Sequence, residues 1–255
     1  MQQINQVDLG NFQFNKKFCL GQGNFGKVYQ GQDKKNGKIV AIKEIERRGL
    51  QNNDYLKQQF RNETQIIKNL PHNQNIVKFI ELVEVENYIY LVQEFCKDGD
   101  LKDKIVSFSY IEENEALIII QQIIEAFQHL HKYGIIHRDL KPANILIHDD
   151  KYKLADFGFA KTLQQNIGQH MLTSVVGSPY YMSPQLLKND KYSYKTDIWS
   201  LGMIFYEMLF GDLPWMANDP KCLLQKILND PVNCKRKNIS LSKESIELLK
   251  MSLLG

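Results

Sequence analysis

The sequence predicts an α+β fold with two lobes: an antiparallel β-sheet N-lobe with one main helix, and a mainly α-helical C-lobe. Up to about residue 95, apolar residues alternate with polar ones or form short β-branched runs, as in "KIVAIKEI" and "YIYLVQEF". Both patterns are typical of strands. Beyond about residue 100 the apolar period is helical, as in "ENEALIIIQQIIEAFQHLHKYG". The chain of 255 residues is long enough for both lobes to bury a core.

The boundary between the lobes follows from where the period changes. One helical stretch, "DYLKQQFRNETQIIKNL", interrupts the N-terminal strands and ends before Pro71. In the second half, "TDIWSLGMIFYEMLF" is apolar nearly all round, which predicts a helix inside a core. We therefore expect one domain over 1–255, with the N-lobe at about 1–95, a hinge at about 94–100 and the C-lobe at about 101–255.

Composition excludes several classes of partner. A net charge of +3 is too small to favour nucleic acid or an anionic membrane. The four cysteines have no C-x-x-C spacing, which suits reduced thiols. The start of the chain lacks the features of a signal peptide, and the longest apolar run, "ALIII", is far shorter than the ~18 residues of a membrane span. We expect a cytoplasmic protein, with the nucleus as the alternative, and neither a nucleic-acid partner nor a transmembrane segment.

A glycine-rich stretch, "GQGNFGKV", covers Gly21 to Val28 with G-x-G-x-x-G spacing. Glycines let a backbone approach phosphate oxygens, but a plain turn or a dinucleotide-binding fingerprint has the same spacing. A dinucleotide fingerprint would open a helix, whereas the residues after Gly26 predict a strand hairpin that turns near Asn36 and Gly37. The stretch is therefore interpreted as a glycine loop between two strands.

Lys43 lies in "VAIK" among apolar strand residues. A buried ammonium group needs a partner, because burying it unpaired is costly. Glu63, on the predicted N-lobe helix, is the expected partner. Glu44 and Glu46 are nearer in sequence, but Glu44 falls on the opposite face of the strand. The alternative is a surface lysine on an edge strand.

The stretch "IIHRDLKPANILI" and the later "KLADFGFA" gather the groups that phosphoryl transfer needs. Asp139 could accept a hydroxyl proton, and Lys141 could hold the transferring phosphoryl group. Asn144 and Asp156 offer hard oxygen ligands of the kind that Mg²⁺ prefers. These residues predict phosphoryl transfer assisted by Mg²⁺.

Taken together, "GQGNFGKV", "VAIK", "HRDLKPAN", "DFG", "GSPYYMSP" and "DIWSLG" resemble the eukaryotic Ser/Thr protein kinases in order and spacing. The resemblance spans essentially the whole chain and implies the bilobal protein-kinase-like fold. Within the family the chain looks most like the Unc-51-like, autophagy-initiating group, with the NIMA-related group second. Lysine at 141 and the "GSP" sequence resemble the Ser/Thr-specific branch, so the implied partners are protein substrates with Ser or Thr acceptors.

The resemblance also implies which residues bind ATP. In chain order these are Gly21, Gly23, Gly26, Val28, Ala41, Lys43, Glu94, Cys96, Asp100 and Leu146. The glycines would cover the phosphates, three apolar side chains would sandwich the adenine, and the hinge backbone would bind its edge. Lys43, held by Glu63, would contact the α and β phosphates. Asp100 would reach the ribose, or it would only cap a helix, as Asp commonly does.

Further residues would support the catalytic loop. By the resemblance, His137 packs against Phe157 of "DFG", and Ile67 and Phe79 complete that stack. Asp197 would accept hydrogen bonds from the catalytic-loop backbone, because a carboxylate entering an apolar helix needs donors.

Regulation is predicted from Arg138, which adds a second positive charge beside Asp139. A phosphate group could neutralise that charge through charge-assisted hydrogen bonds. Ser174 lies at the family's usual phosphorylation position and Thr173 is next to it. An upstream activating kinase or autophosphorylation would supply the phosphate.

The chain departs from the family in two places. "SPQ", Ser183 to Gln185, stands where Ala-Pro-Glu is usual, and the sequence stops before the arginine that normally pairs with that glutamate. Losing both partners of a buried pair can be nearly neutral. We expect a truncated C-terminal end that leaves apolar surface uncovered at Leu248, Leu249, Leu253 and Leu254. The alternative to an active kinase is a pseudokinase scaffold that binds ATP or partners without transfer.

Overall fold

The computed structural model describes residues 5–23, 26–51, 54–157, 160–162, 179–188, 190, 193–235 and 240–253. The chain divides into two compact units, Met1–Lys97 and Asp98–Gly255. The fold class predicted from the sequence is confirmed, since the first unit is built on an antiparallel sheet and the second is mainly helical.

The N-terminal unit contains a six-stranded antiparallel sheet in the order β1-β2-β3-β4-β6-β5. Its strands are β1 (Gln6–Asp8), β2 (Phe12–Gly23), β3 (Gly26–Asp33), β4 (Ile39–Glu46), β5 (Phe79–Glu84) and β6 (Tyr88–Glu94). Its helices are α1 (Arg47–Gln51) and α2 (Asp54–Asn69). The predicted strands, the hairpin after Gly26 and the main helix are confirmed, whereas β1 and α1 were not predicted because both are very short.

The two faces of this sheet bury different side chains, because successive residues of a strand point to opposite faces. One face carries a cluster that includes Phe14, Ile42 and Tyr90. On the other face, Ile45 of β4 packs with Phe60 of α2. The alternation in "VAIKEI" thus places the odd-numbered residues of β4 on the face that α2 covers.

The C-terminal unit begins with α3 (Leu101–Phe108) and α4 (Glu113–Lys132). Short strands follow, namely β7 (Ile135–Ile136), β8 (Ile145–His148), β9 (Lys151–Leu154) and β10 (Lys161–Thr162), where β7 pairs with β10 and β8 with β9. The remaining helices are α5 (Pro184–Leu187), α6 (Lys195–Phe210), α7 (Pro220–Asn229) and α8 (Lys243–Leu253). Gly134 follows α4 with a φ of 66°, the left-handed conformation that is typical of a glycine just after a helix.

Helix α6 forms the core of this unit. From Thr196 to Phe210 every residue is buried except Ile198, which confirms the prediction of a helix inside the core. Helix α8 packs against it so closely that a Cβ atom on Gly202 would lie 2.4 Å from Ser252 Oγ. Because α8 lies directly against α6 at Gly202, the packing leaves no room for a larger residue at this position.

The expected exposure of the C-terminal leucines is wrong for two of them. Leu249 is 0% exposed and Leu253 is 2% exposed, because both lie on the side of α8 that faces the core. Leu248 is half-buried, and Leu254 lies outside the described residues. Within the described part of the chain, no helix has the length and apolar character needed to cross a membrane.

Candidate functional site

The loop between β7 and β8 is held by a buried carboxylate. Asp197 Oδ2 accepts a hydrogen bond from the His137 backbone N–H (2.8 Å), and Oδ1 accepts one from the Arg138 N–H (2.9 Å). Burial raises the pKa of Asp197, although the nearby positive groups and both backbone donors act in the opposite direction. The predicted anchoring role of Asp197 is confirmed by these bonds.

Within this loop, two side chains hold the Asp139 carboxylate. Lys141 Nζ donates to Asp139 Oδ2 at 2.9 Å, and Asn144 Nδ2 donates to the same oxygen at 3.0 Å. Asn144 Nδ2 also donates to the Asp139 backbone oxygen at 2.7 Å. Asp139 is 7% exposed, so the carboxylate is fixed in position. Among the described residues both donors bind Oδ2, which leaves Oδ1 as the oxygen that could accept a proton.

The two residues assigned to a metal ion, Asn144 and Asp156, lie near each other along the backbone of this unit. Asn144 uses its amide nitrogen toward Asp139, which leaves its carbonyl oxygen as the atom that could bind a cation. The Ala155 N–H donates to the Asn144 backbone oxygen (2.9 Å), so the residue before Asp156 lies against Asn144. In the described residues no group of three or more His, Cys, Asp or Glu side chains could hold a metal. A Mg²⁺ ion bound to phosphates needs only a few protein ligands, and its binding by Asn144 and Asp156 stays a prediction.

His137 connects the loop between β7 and β8 to the "DFG" stretch. Its ring centroid lies 5.0 Å from that of Phe157, which confirms the predicted packing. His137 Nε2 lies 3.2 Å from the Ala155 oxygen, and because a carbonyl oxygen only accepts, Nε2 carries the hydrogen. Ile67 and Phe79 belong to the N-terminal unit, and their part in the stack stays a prediction.

In the N-terminal unit, strand register brings three predicted ATP-binding residues to one face. Val28 pairs with Lys43 across β3 and β4, and cross-strand partners share a face of the sheet. Ala41 precedes Lys43 by two residues and lies on the same face. Lys43 is only 6% exposed, which excludes the alternative of a surface lysine.

The structure tests one part of the prediction that Glu63 pairs with Lys43, namely that Glu44 faces away from Lys43. Glu63 follows Phe60 by about one turn in α2, the helix that covers this face, but its side chain lies outside the described residues. Glu44 lies on the opposite face and is bonded there to Lys16 Nζ (2.8 Å) and the Tyr90 hydroxyl (3.0 Å). This bonding confirms that Glu44 faces away, and the Lys43–Glu63 pair stays a prediction.

The glycine stretch forms the β2–β3 hairpin, in which Gly21 pairs with Val28 and Gly23 with Gly26. Gly26 has a φ of 153°, and a Cβ atom there would lie 1.8 Å from the Glu44 backbone oxygen. Only glycine fits this contact. A Cβ atom on Gly21 would meet nothing within 4 Å, so packing does not require glycine at that position.

The hinge residue Glu94 has one backbone group already in use. Its N–H donates to the Lys78 oxygen at 3.0 Å, and its side chain accepts from the Lys78 N–H at 2.6 Å. The predicted contact of the Glu94 backbone with the adenine edge stays a prediction. Cys96 is half-buried, and its predicted contact with the adenine stays a prediction.

Asp100 and Leu146 lie side by side at the start of the C-terminal unit, joined by an isolated β-bridge. Asp100 caps α3, because its side chain accepts from the Asp103 N–H at 2.9 Å. Burial raises the pKa of Asp100, partly offset by this backbone bond. The capping role is thus confirmed, and contact with a ribose stays a prediction.

A cavity of about 400 Å³ next to Lys141 was not predicted. Glu207 of α6 lines it and accepts a hydrogen bond from the Tyr181 hydroxyl at 2.5 Å. Burial raises the pKa of Glu207, although the bond from Tyr181 acts in the opposite direction. Burial also raises the pKa of Tyr181, and the charge of Glu207 acts in the same direction. The signal in the sequence was a single glutamate within the otherwise apolar second half of α6.

Three predicted positions complete the comparison with the sequence. Ser174 and Thr173 lie outside the described residues. Gln185 is exposed on α5. A solvated amide therefore stands where the family resemblance places a buried glutamate.

Comparisons with known proteins give matches over most of the chain. The sequence profile described as the protein kinase domain matches residues 14–253. The human serine/threonine-protein kinase ULK1 is 37% identical over 226 residues, which are 84% of this chain and 21% of the relative. Calcium-dependent protein kinase 5 of Plasmodium berghei is 40% identical over 228 residues, covering 88% and 39%. The human hormonally up-regulated neu tumor-associated kinase is 38% identical over 217 residues, covering 84% and 30%.

The chain spans only 21% to 39% of the length of these relatives. The similarity therefore concerns the region that carries the site, and the rest of each relative has no counterpart in the match.

Proposed function

Because this chain belongs to the protein kinase domain family, we propose that it transfers the γ-phosphoryl group of ATP to serine and threonine hydroxyls of protein substrates. Membership confirms the resemblance to Ser/Thr protein kinases, and an Unc-51-like kinase, human ULK1, is among the relatives. The observation that carries the proposal is the buried Asp139 carboxylate, held by Lys141 and Asn144.

In the proposed reaction, Asp139 Oδ1 accepts the proton of the substrate hydroxyl. The hydroxyl oxygen forms a bond to the γ-phosphorus, and the bond from that phosphorus to the β–γ bridging oxygen breaks, so ADP leaves. Lys141 Nζ lies 2.9 Å from Asp139 Oδ2, where its charge would stabilise the transferring group.

ATP binding is assigned to residues of both units. Asn144 and Asp156 would hold Mg²⁺, which neutralises phosphate charge when bound. Lys43, paired with Glu63, would contact the α and β phosphates, and the backbone of the glycine hairpin would cover them. The apolar face at Val28 and its neighbours would receive the adenine.

The test is transfer from γ-labelled ATP with Mg²⁺ to a generic protein substrate, followed by identification of the labelled amino acid. Wild type should label serine and threonine, and Asp156→Ala should not. Asp139→Asn should keep its fold and its nucleotide binding while turnover falls by about two to four orders of magnitude. Nucleotide binding by wild type without any transfer would contradict the proposal and leave the pseudokinase scaffold.

We further propose that phosphorylation at Ser174, or at Thr173, raises activity, through an upstream kinase or autophosphorylation. What supports this is Arg138, a positively charged residue that precedes Asp139 in the sequence and whose backbone N–H is bonded to Asp197. The Ser174→Ala, Thr173→Ala double variant should be less active than phosphorylated wild type. Equal activity of the two proteins, with wild-type phosphorylation verified by mass spectrometry, would contradict this prediction.

A further inference from the structure

The cavity of about 400 Å³ next to Lys141 has no part in the reaction described so far. We propose that it receives one side chain of the protein substrate and that Lys102 sets the charge of the side chain that is accepted. Lys102 supplies the positive charge that a basic substrate residue would otherwise bring to Glu207. The cavity therefore gives no advantage to arginine or lysine and takes an uncharged side chain. This inference rests on the proposed kinase activity, and its test separates the two.

The position of the cavity suits a residue of the substrate. Residues 141–143 of the loop between β7 and β8 line it, together with parts of α3 and α6 and the segment after α6. Lys141 Nζ donates to Oδ2 of the proposed base, Asp139, at 2.9 Å. An extended peptide advances about 3.3 Å per residue. A residue within a few positions of an acceptor at Asp139 therefore reaches the cavity.

The walls of the cavity favour an apolar occupant. Its apolar or aromatic lining residues are Pro142, Ala143, Tyr180, Leu213 and Met216. The Tyr180 hydroxyl donates to the Ala217 oxygen at 3.0 Å, which fixes this ring against the segment after α6. Met216 is 56% exposed although it borders the cavity. A substrate side chain in the cavity would remove such apolar surface from water, which is favourable.

The charged residues that line the cavity are Lys102, Lys141, Glu207 and Asp212. Lys141 is bonded to the Asp139 carboxylate, which balances its charge. Asp212 is exposed, and water weakens the interactions of an exposed charge. Glu207 is only 8% exposed. Inside the cavity, the charge that a substrate meets is therefore set mainly by Glu207 and Lys102.

The charge of Lys102 acts directly on Glu207. Burial raises the pKa of Glu207, whereas the Tyr181 hydrogen bond and the Lys102 charge lower it. Asp212 raises this pKa by less than Lys102 lowers it. The Tyr181 hydroxyl donates to Glu207 Oε2 at 2.5 Å. Because Glu207 already has a hydroxyl donor and a nearby positive charge, it gains less from the guanidinium group of a substrate arginine.

Lys102 also opposes a second cation in the same cavity. Like charges repel, and the repulsion is stronger beside protein walls than in open water. Lys102 is an exposed residue at the start of α3 whose side chain lines the cavity. Its substitution should therefore remove the charge without leaving a gap in the core.

The test uses peptides that carry arginine or leucine at each position close to one serine acceptor. At one of these positions, Lys102→Ala should raise the arginine-to-leucine ratio of kcat/KM about fivefold. High salt should reduce this gain. Lys104→Ala is the matched control, because it removes the same charge from the same helix, but Lys104 is bonded to Glu115 and does not line the cavity. It should leave the ratio unchanged.

A second background tests the role of Glu207. Glu207→Gln keeps an acceptor for the Tyr181 hydroxyl but removes the charge that arginine would bind. In this background, Lys102→Ala should no longer raise the ratio. A purely structural role of Lys102 would instead change kcat/KM equally for both peptides. The proposal is overturned by an unchanged ratio in Lys102→Ala, by a gain that persists with Glu207→Gln, or by a wild type that already prefers arginine at this position.

Peptide binding keeps the test independent of transfer. The same peptides, with alanine in place of the serine acceptor, are titrated by fluorescence anisotropy. Lys102→Ala should shift the ratio of their affinities toward arginine by a similar factor. If this shift appeared while wild type transferred no phosphate, the kinase activity would be refuted and the role of Lys102 would stand. If wild type transferred phosphate and neither ratio changed, the role of Lys102 alone would be refuted. Circular dichroism checks that each variant is folded.

Discussion

At the scale of single residues, the loop between β7 and β8 and the "DFG" stretch contain backbone conformations that residues other than glycine rarely adopt. Arg138 has a φ of 67° and Asp156 a φ of 59°. Such conformations cost about 1 to 3 kcal/mol each and persist only where neighbours impose them. The Arg138 N–H is bonded to Asp197, and the residue before Asp156 is bonded to Asn144. The surrounding hydrogen bonds therefore hold both residues in place.

The glycine hairpin offers a residue-scale prediction. Gly26→Ala should lower the free energy of unfolding by about 2 kcal/mol, because the new methyl group would overlap the Glu44 backbone oxygen. Gly21→Ala, in open space, should change it by less than about 0.5 kcal/mol. Urea unfolding measures both. If the two variants were equally stable, the close contact at Gly26 would be wrong. Separately, weaker ATP binding by Gly21→Ala, without a loss of stability, would indicate that Gly21 contacts the nucleotide.

At the scale of elements, hydrogen bonds connect the start of α4 to the start of α8. Glu113, the first residue of α4, accepts hydrogen bonds from the Ser242 N–H (3.1 Å) and from the Ser242 hydroxyl, just before α8. Ser242 Oγ in turn accepts from the Ser245 N–H at 3.1 Å. These bonds join the beginnings of two helices that are far apart in sequence.

This contact predicts a pH dependence. Its hydrogen bonds to Ser242 hold the pKa of Glu113 below the ordinary value of 4.5. A lowered folded-state pKa means that the stabilisation is complete above pH 4.5 and is lost as the pH falls through the lower, folded-state pKa. Glu113→Gln should therefore lower the melting temperature at pH 7, and the difference from wild type should shrink below pH 4.5.

The control is Glu112→Gln, since Glu112 is exposed and makes no side-chain bond at the start of α4. It should melt like wild type at both pH values. A Glu113→Gln difference that stayed constant with pH would refute the linkage.

At the scale of the whole molecule, each unit has its own buried core, and the residues assigned to transfer are divided between them. Lys43 and the glycine hairpin belong to the first unit, whereas Asp139, Asn144 and Asp156 belong to the second. The stability of each unit therefore bears on activity, even for core residues that take no part in the chemistry.

The C-terminal helix provides the matching prediction. Leu249→Ala should lower the free energy of unfolding by about 2 to 5 kcal/mol, because Leu249 is fully buried in the core of its unit. Met251→Ala, two residues later and 72% exposed, should have almost no effect. Denaturant unfolding followed by circular dichroism measures the difference. Equal stability of the two variants would show that α8 is not part of the core.

The sequence by itself determined the longer strands of the sheet, the helices α2, α4 and α6, and the residues proposed for the chemistry. Apolar periodicity predicts β4 and α6, and the loop chemistry predicts Asp139, Lys141 and Asn144, because these features depend on residues close together along the chain. The opposite orientation of Glu44 and Lys43 was also predictable, since alternation along a strand is local.

Only the tertiary structure decided which distant residues meet. The Tyr181–Glu207 bond, the Glu113–Ser242 contact and the burial of Leu249 each join segments far apart along the chain. No local pattern encodes such pairs, because they arise from how helices pack and not from the preference of any one residue. Exposure of Ile118 is of the same kind, since periodicity indicates an apolar residue but not whether a neighbour covers it.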